Sequence, residues 1–199
     1  MSAPGADGRF DAAPQPEQVV AATRNWLVRA VIGLNLCPFA KAVHVKEQIR
    51  YAVSTAHTPE ALLHDLAREL RFLADADPQD CDTTLLIHPH ALADFRDYND
   101  FLDLADAAVL ELGLEGVLQV ASFHPDYQFA ETDADDVANC SNRSPYPTLH
   151  LLREDSIERA VEAFPQADSI YEENIRTLRR LGMKGWRALM DAPSRGDLS

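Results

Sequence analysis

The chain has 199 residues, 46% hydrophobic and 25% charged, which are the values of an ordinary globular domain large enough to need no disulfide or metal staple. Its net charge of −14, from 18 Lys plus Arg against 32 Asp plus Glu, favours solubility and repels polyanions, so no nucleic-acid partner is expected. The cysteines Cys37, Cys81 and Cys140 form no closely spaced pair, and no apolar run approaches the ~20 residues of a membrane span; the expectation is a soluble, cytoplasmic chain that contacts no membrane.

Residues 1–16 are rich in Gly, Ala, Pro and Asp and read as a disordered tail. A helix is expected from about Pro16, with Val20, Trp26, Leu27, Val31 and Leu34 near helical spacing, Gly33 weakening its end and Pro38 stopping it. Ile49 to Ser54 alternates and reads as a strand. Thr58 followed by Pro59 and Glu60 is a helix start, and that helix runs to about Ala74 on Leu62, Leu66, Leu70 and Leu73. Thr83 to Ile87 is a short β-prone run between Asp82 and Pro89, the pattern of a buried strand. Asp94 to Leu112 is helical by its Phe95, Tyr98, Phe101, Leu102, Ala105 and Val109 spacing, and Val117 to Ser122 is the next strand.

Strand, helix, strand, helix, strand is the rhythm of crossover units. It predicts one α/β domain over 17–190: a mostly parallel central sheet of three to four strands with crossover helices, an N-terminal helix and a C-terminal helical segment. Residues 123–147 are polar and aperiodic, and a stretch of that length is often functional. Thr148 to Leu152 offers a fourth strand. Ser156 to Phe164 and Ser169 to Leu189 offer the last helices, with a break at Pro165 and an interruption near Gly182 or Gly185. Residues 191–199 read as a second disordered tail.

Candidate chemistry gathers at the strand ends. His88 follows the second strand and His124 the third; in a parallel sheet both would stand at the carboxyl edge, where ligands bind. They are the candidate acid–base pair. Asn139, Asn142, Arg143, Ser144, Tyr146 and His150 form a second group, in which the arginine fork suits a carboxylate or phosphate and Pro145 and Pro147 stiffen the chain. Asp126 could orient His124. Cys37, with Lys41 behind it, is a third candidate, although the helix before it offers the wrong end of its dipole to a thiolate. His88, His124 and His150 could supply a zinc site if the fold joins them. No P-loop, dinucleotide fingerprint, HExxH or GxSxG is present, and the residues leave the cofactor unknown.

Three strings are distinctive together: Gly33-Leu34-Asn35-Leu36-Cys37-Pro38-Phe39-Ala40, Ala121-Ser122-Phe123-His124-Pro125 and Asn142-Arg143-Ser144-Pro145-Tyr146-Pro147. With Asp97-Tyr98-Asn99-Asp100-Phe101 they make the chain resemble a bacterial family catalogued as domain of unknown function 1415, over about Trp26 to Leu189. The resemblance implies kinship and no mechanism. Two functions remain open at this level. One is a hydrolase or transferase acting on a small anionic or amide-containing molecule through His124 and His88. The other is a non-catalytic module that binds a metabolite or a protein.

Overall fold

The computed structural model describes residues 14–163 and 169–191. The expected tails lie almost wholly outside the described residues, as does the expected break at Pro165. Helix α1 spans Pro16–Trp26, with proline at its first position, and continues as a wider π-helical turn over Leu27–Ile32. That turn explains Gly33. A Cβ there would stand 2.2 Å from the Arg29 carbonyl oxygen, a distance no side chain tolerates. Asn35 then reverses the chain at φ 55°, and a short helix absent from the sequence reading, α2 (Ala40–Val45), follows.

Strand β1 is Ile49–Val53, helix α3 is Pro59–Asp75 and strand β2 is Thr83–Ile87. The Thr58 hydroxyl caps α3 by accepting the Ala61 N–H. Helix α4 is Phe95–Glu111, capped by the Asp94 carboxylate, which accepts the N–H groups of Arg96 and Asp97. Asp94→Ala is expected to cost about 1 kcal/mol and to lower the melting temperature by about 2–4 °C, measurable by thermal denaturation. Strand β3 is Leu118–Phe123, a 3-10 helix covers Val137–Asn142, and strand β4 is Thr148–Arg153. Helices α5 (Glu154–Ala163) and α6 (Ile170–Asp191) follow, and α6 is interrupted at Gly182, whose φ of 67° and ψ of 166° suit only glycine.

The sheet departs from the expected mostly parallel arrangement. Its order is β1-β2-β4-β3; β1 and β2 are parallel, but β4 lies between β2 and β3 and is antiparallel to both. The reason is the connection into β4. A helical crossover would have carried the chain to the far edge of the sheet and forced a parallel strand. Residues 124–147 instead stay at the edge where β3 ends. The His124 N–H donates to the Asn142 carbonyl at 3.1 Å, and the His88 N–H to the Pro147 carbonyl at 3.0 Å. The chain enters β4 where it left β3 and must run back. Since β2 and β3 both oppose β4, the two still point the same way.

Side chains alternate between two covered faces. Leu86, Leu118, Leu149 and Leu151 pack against α3 and α4 with Leu62, Leu66, Leu70, Tyr98 and Phe101. On the other face, Leu85 and Ile87 meet Val19 of α1, while Phe123 meets Trp26 edge-on at a ring separation of 5.1 Å. Arg153 is buried and points to the α3 side, where its guanidinium donates to the carbonyls of Leu73, Ala76 and Cys81. Among the described residues no helix is long and apolar enough to cross a membrane.

Candidate functional site

The common direction of β2 and β3 puts His88 and His124 at one edge of the sheet, on the face covered by α4. Both are fully buried, and both lie against the Tyr98 ring, His88 at 5.7 Å and His124 at 5.0 Å between centroids. The Tyr98 hydroxyl donates to the Thr148 carbonyl at 2.9 Å and accepts the Phe123 N–H at 3.1 Å. It therefore joins the end of β3 to the start of β4, directly under the two imidazoles. Tyr98 was legible in sequence only as a core residue, because it recurs at apolar helical spacing.

The ring nitrogens are tied to backbone. In His124, Nδ1 accepts the Asp126 N–H at 3.0 Å; Nε2 therefore carries the proton and donates to the Leu92 carbonyl at 3.2 Å. Asp126 orients this ring through its main chain, while its carboxylate is exposed. In His88, Nδ1–H donates to the Ala91 carbonyl at 3.0 Å, and Nε2 is buried with no hydrogen-bond partner among the described residues. Burial lowers the pKa of both. For His88 it falls to about 4; the Ala91 carbonyl works against this and the nearby His124 adds to it. For His124 the Leu92 carbonyl and the charges of Asp126 and Asp94 offset part of the lowering.

His150 does not join them. It projects from the opposite face of β4, beside Phe123 at 5.9 Å. Its Nε2 donates at 2.8 Å to the Thr83 hydroxyl, which in turn donates to the Leu151 carbonyl at 2.7 Å. Burial brings its pKa to about 4 as well. The three-histidine zinc arrangement therefore has no common centre, and among the described residues no three His, Cys, Asp or Glu side chains converge on a metal position. At the same sheet edge His57 and His90 stack on each other, 5.0 Å apart.

The residues of the long loop mainly order the loop itself. Arg143 donates from Nε to the Tyr127 carbonyl at 3.1 Å and from Nη2 to the Ala134 carbonyl at 2.6 Å. Asn142 donates to the Ser122 carbonyl at 3.3 Å. The Ser144 hydroxyl donates to the Tyr146 carbonyl at 2.6 Å, and the Tyr146 side chain packs on the α1 face near Leu85 and Ile87. Asn139 is fully buried: its carbonyl oxygen accepts the Phe129 N–H and the Thr132 hydroxyl, and its amide donates to the Asp133 carbonyl. Asn139 belongs to the group expected at a site, and its side chain is instead used up inside the loop.

These bonds hold a row of half-exposed rings at the surface. Phe95 lies 5.1 Å from Tyr127, Tyr127 lies 5.1 Å from Phe129, and Phe129 lies 5.9 Å from Tyr171 of α6. Exposed carboxylates flank the row's rings along the chain: Asp94 and Asp97 beside Phe95, and Asp126, Glu131, Asp133 and Asp135 on the loop of Tyr127 and Phe129. Cys37 stands apart, partly buried against the apolar cluster that contains Trp26, Leu27 and Leu178. Burial raises its thiol pKa, and the N–H groups of Phe39 and Ala40, at the start of α2, only partly offset this. Lys41 is exposed on α2.

A family model described as a protein of unknown function, DUF1415, matches residues 18–188, and the chain belongs to that family. Comparison with curated proteins and with solved structures gives no match.

Proposed function

We propose that this member of the family is a binding module, and that the ordered 124–147 loop with its ring row is the surface that takes a protein segment rich in apolar and basic side chains. The observation that carries the reading is the aromatic row Phe95, Tyr127, Phe129 and Tyr171 set among exposed carboxylates. Aromatic anchors supply most of the energy of protein contacts, and a loop already fixed by Asn139 and Arg143 loses little entropy on binding. Carboxylates at the rim favour a cationic partner. The bonding of the histidines agrees with this: both nitrogens of His124 face main-chain groups, which suits a residue that holds the loop.

The test compares the protein with a Phe129→Ala, Tyr171→Ala double variant. Polypeptides retained on each are identified and then titrated calorimetrically. A partner at this surface binds the native protein at least about tenfold more tightly than the variant, as loss of an aromatic anchor predicts. Its affinity also falls as salt rises and rim charges are screened. Equal affinity for both proteins removes the reading.

A second reading, acid–base catalysis on a small molecule, is favoured by one atom, the unpartnered Nε2 of His88. It requires the 88–94 turn to open. A turnover lost in His88→Gln with the fold intact would establish it.

A further inference from the structure

The aromatic row leaves the other end of the sheet unused. β1 is an edge strand, and no described segment pairs with its outer side. The Ser54 N–H donates inward to the Ile87 carbonyl. Alternate residues of a parallel edge strand bond the same way, so Arg50 and Ala52 also turn inward, and Ile49, Tyr51 and Val53 turn their N–H and C=O groups outward.

Beside that edge, between α1 and β1, runs a solvent-open groove of about 570 Å³. Val20, Ala21 and Val53 give it apolar walls, and Glu17 and Arg24, two turns apart on α1, stand along it. The Arg24 guanidinium lies over the Tyr51 ring, 5.1 Å from its centroid. The Tyr51 hydroxyl oxygen is buried and makes no hydrogen bond of normal geometry among the described residues; its polar neighbour is the Arg24 guanidinium, a donor only, so the hydroxyl proton still lacks an acceptor. A buried donor without an acceptor is costly, and an acceptor placed there satisfies it.

We infer that this groove takes an extended segment of a partner polypeptide, added as a further strand on β1, with an Asp or Glu side chain received by Arg24 and the Tyr51 hydroxyl. Strand addition answers the outward N–H and C=O groups of Tyr51 and Val53. The carboxylate belongs to a side chain because Arg24 and the Tyr51 ring stand off the face of the sheet, where a strand's side chains project, whereas a terminal carboxylate would lie in the plane of the backbone. The apolar walls accept an aliphatic side chain two residues away, on the same face of the added strand. This site shares no residue with the aromatic row, so either can fail alone.

The probe is an array of random heptapeptides, acetylated and amidated so that no terminal charge competes. Selected binders are expected to share an Asp or Glu two residues from an aliphatic residue, and to shift the Tyr51 and Val53 amide signals in NMR spectra of the full chain. Arg24→Gln is expected to weaken them at least about tenfold, the scale of a charge-assisted contact. Val53→Pro removes one outward N–H without touching the β2 ladder, a change edge strands accept, and is expected to weaken them comparably. Circular dichroism and melting curves confirm that both variants fold. The inference is overturned if no peptide is selected, if both variants bind as the native chain does, or if β1 instead pairs two copies of the chain.

Discussion

Acidification from pH 7 to pH 4 is expected to cost the fold about 3 kcal/mol for each of His88 and His150. Burial holds both imidazoles neutral, with pKa about 4 against an ordinary 6.5, and the difference converts at about 1.4 kcal/mol per pH unit. The folded pKa lies below the unfolded one, so the unfolded chain takes up the extra proton. The stability is therefore complete above about pH 6.5 and is lost as pH falls towards 4. His124 shifts in the same direction and adds to the loss. Relief of the net charge of −14 acts in the opposite sense, so wild type alone does not isolate the imidazoles. The decisive comparison is the urea midpoint against pH for wild type, His88→Gln and His150→Gln. Each variant should show a shallower acid limb than wild type. Parallel limbs in all three would mean that these rings do not exclude the proton.

What was legible in the sequence is what local chemistry sets. Thr58-Pro59 announces α3, and Thr83 to Ile87, bounded by Asp82 and Pro89, emerges as β2 with the expected limits. The strand ends also located His88 and His124 at one edge. The same residues did not disclose strand order, because β4 is placed by long-range pairing with β2 and β3, at whose entry the His88 N–H bonds to Pro147 and the His124 N–H to Asn142. The bonding of the histidines was hidden for a similar reason. Ala91 and Leu92 come within reach only because the turn after β2 folds back, with Leu92 at φ 56°. Arg143 shows the limit most plainly: its donors can be read from its name, but the two carbonyls that take them are placed by the loop. Gly33 was read as a weak helix end, yet it is the residue that permits the wide turn.

Both imidazoles and the first ring of the row, Phe95, pack on Tyr98, whose hydroxyl also joins β3 to β4, so its replacement is the most informative structural change. Tyr98→Phe is expected to cost about 1–3 kcal/mol, because it removes the buried hydroxyl that accepts the Phe123 N–H and donates to the Thr148 carbonyl across the end of the β3–β4 ladder. Tyr98→Ala also removes a fully buried ring and should cost about 5 kcal/mol. Equilibrium denaturation measures both. The difference between them separates two roles: the hydroxyl ties β3 to β4, and the ring is the platform that His88 and His124 share. Hydrogen exchange assigns the first role to an atom. In Tyr98→Phe the Phe123 amide should lose more protection than its β3 neighbours, while the imidazole NMR signals stay close to their native positions. In Tyr98→Ala those signals should move as well. If Tyr98→Phe leaves both stability and Phe123 protection unchanged, the hydroxyl does not bridge the strands, and the edge is held by the loop bonds of His88, His124 and Asn142 alone.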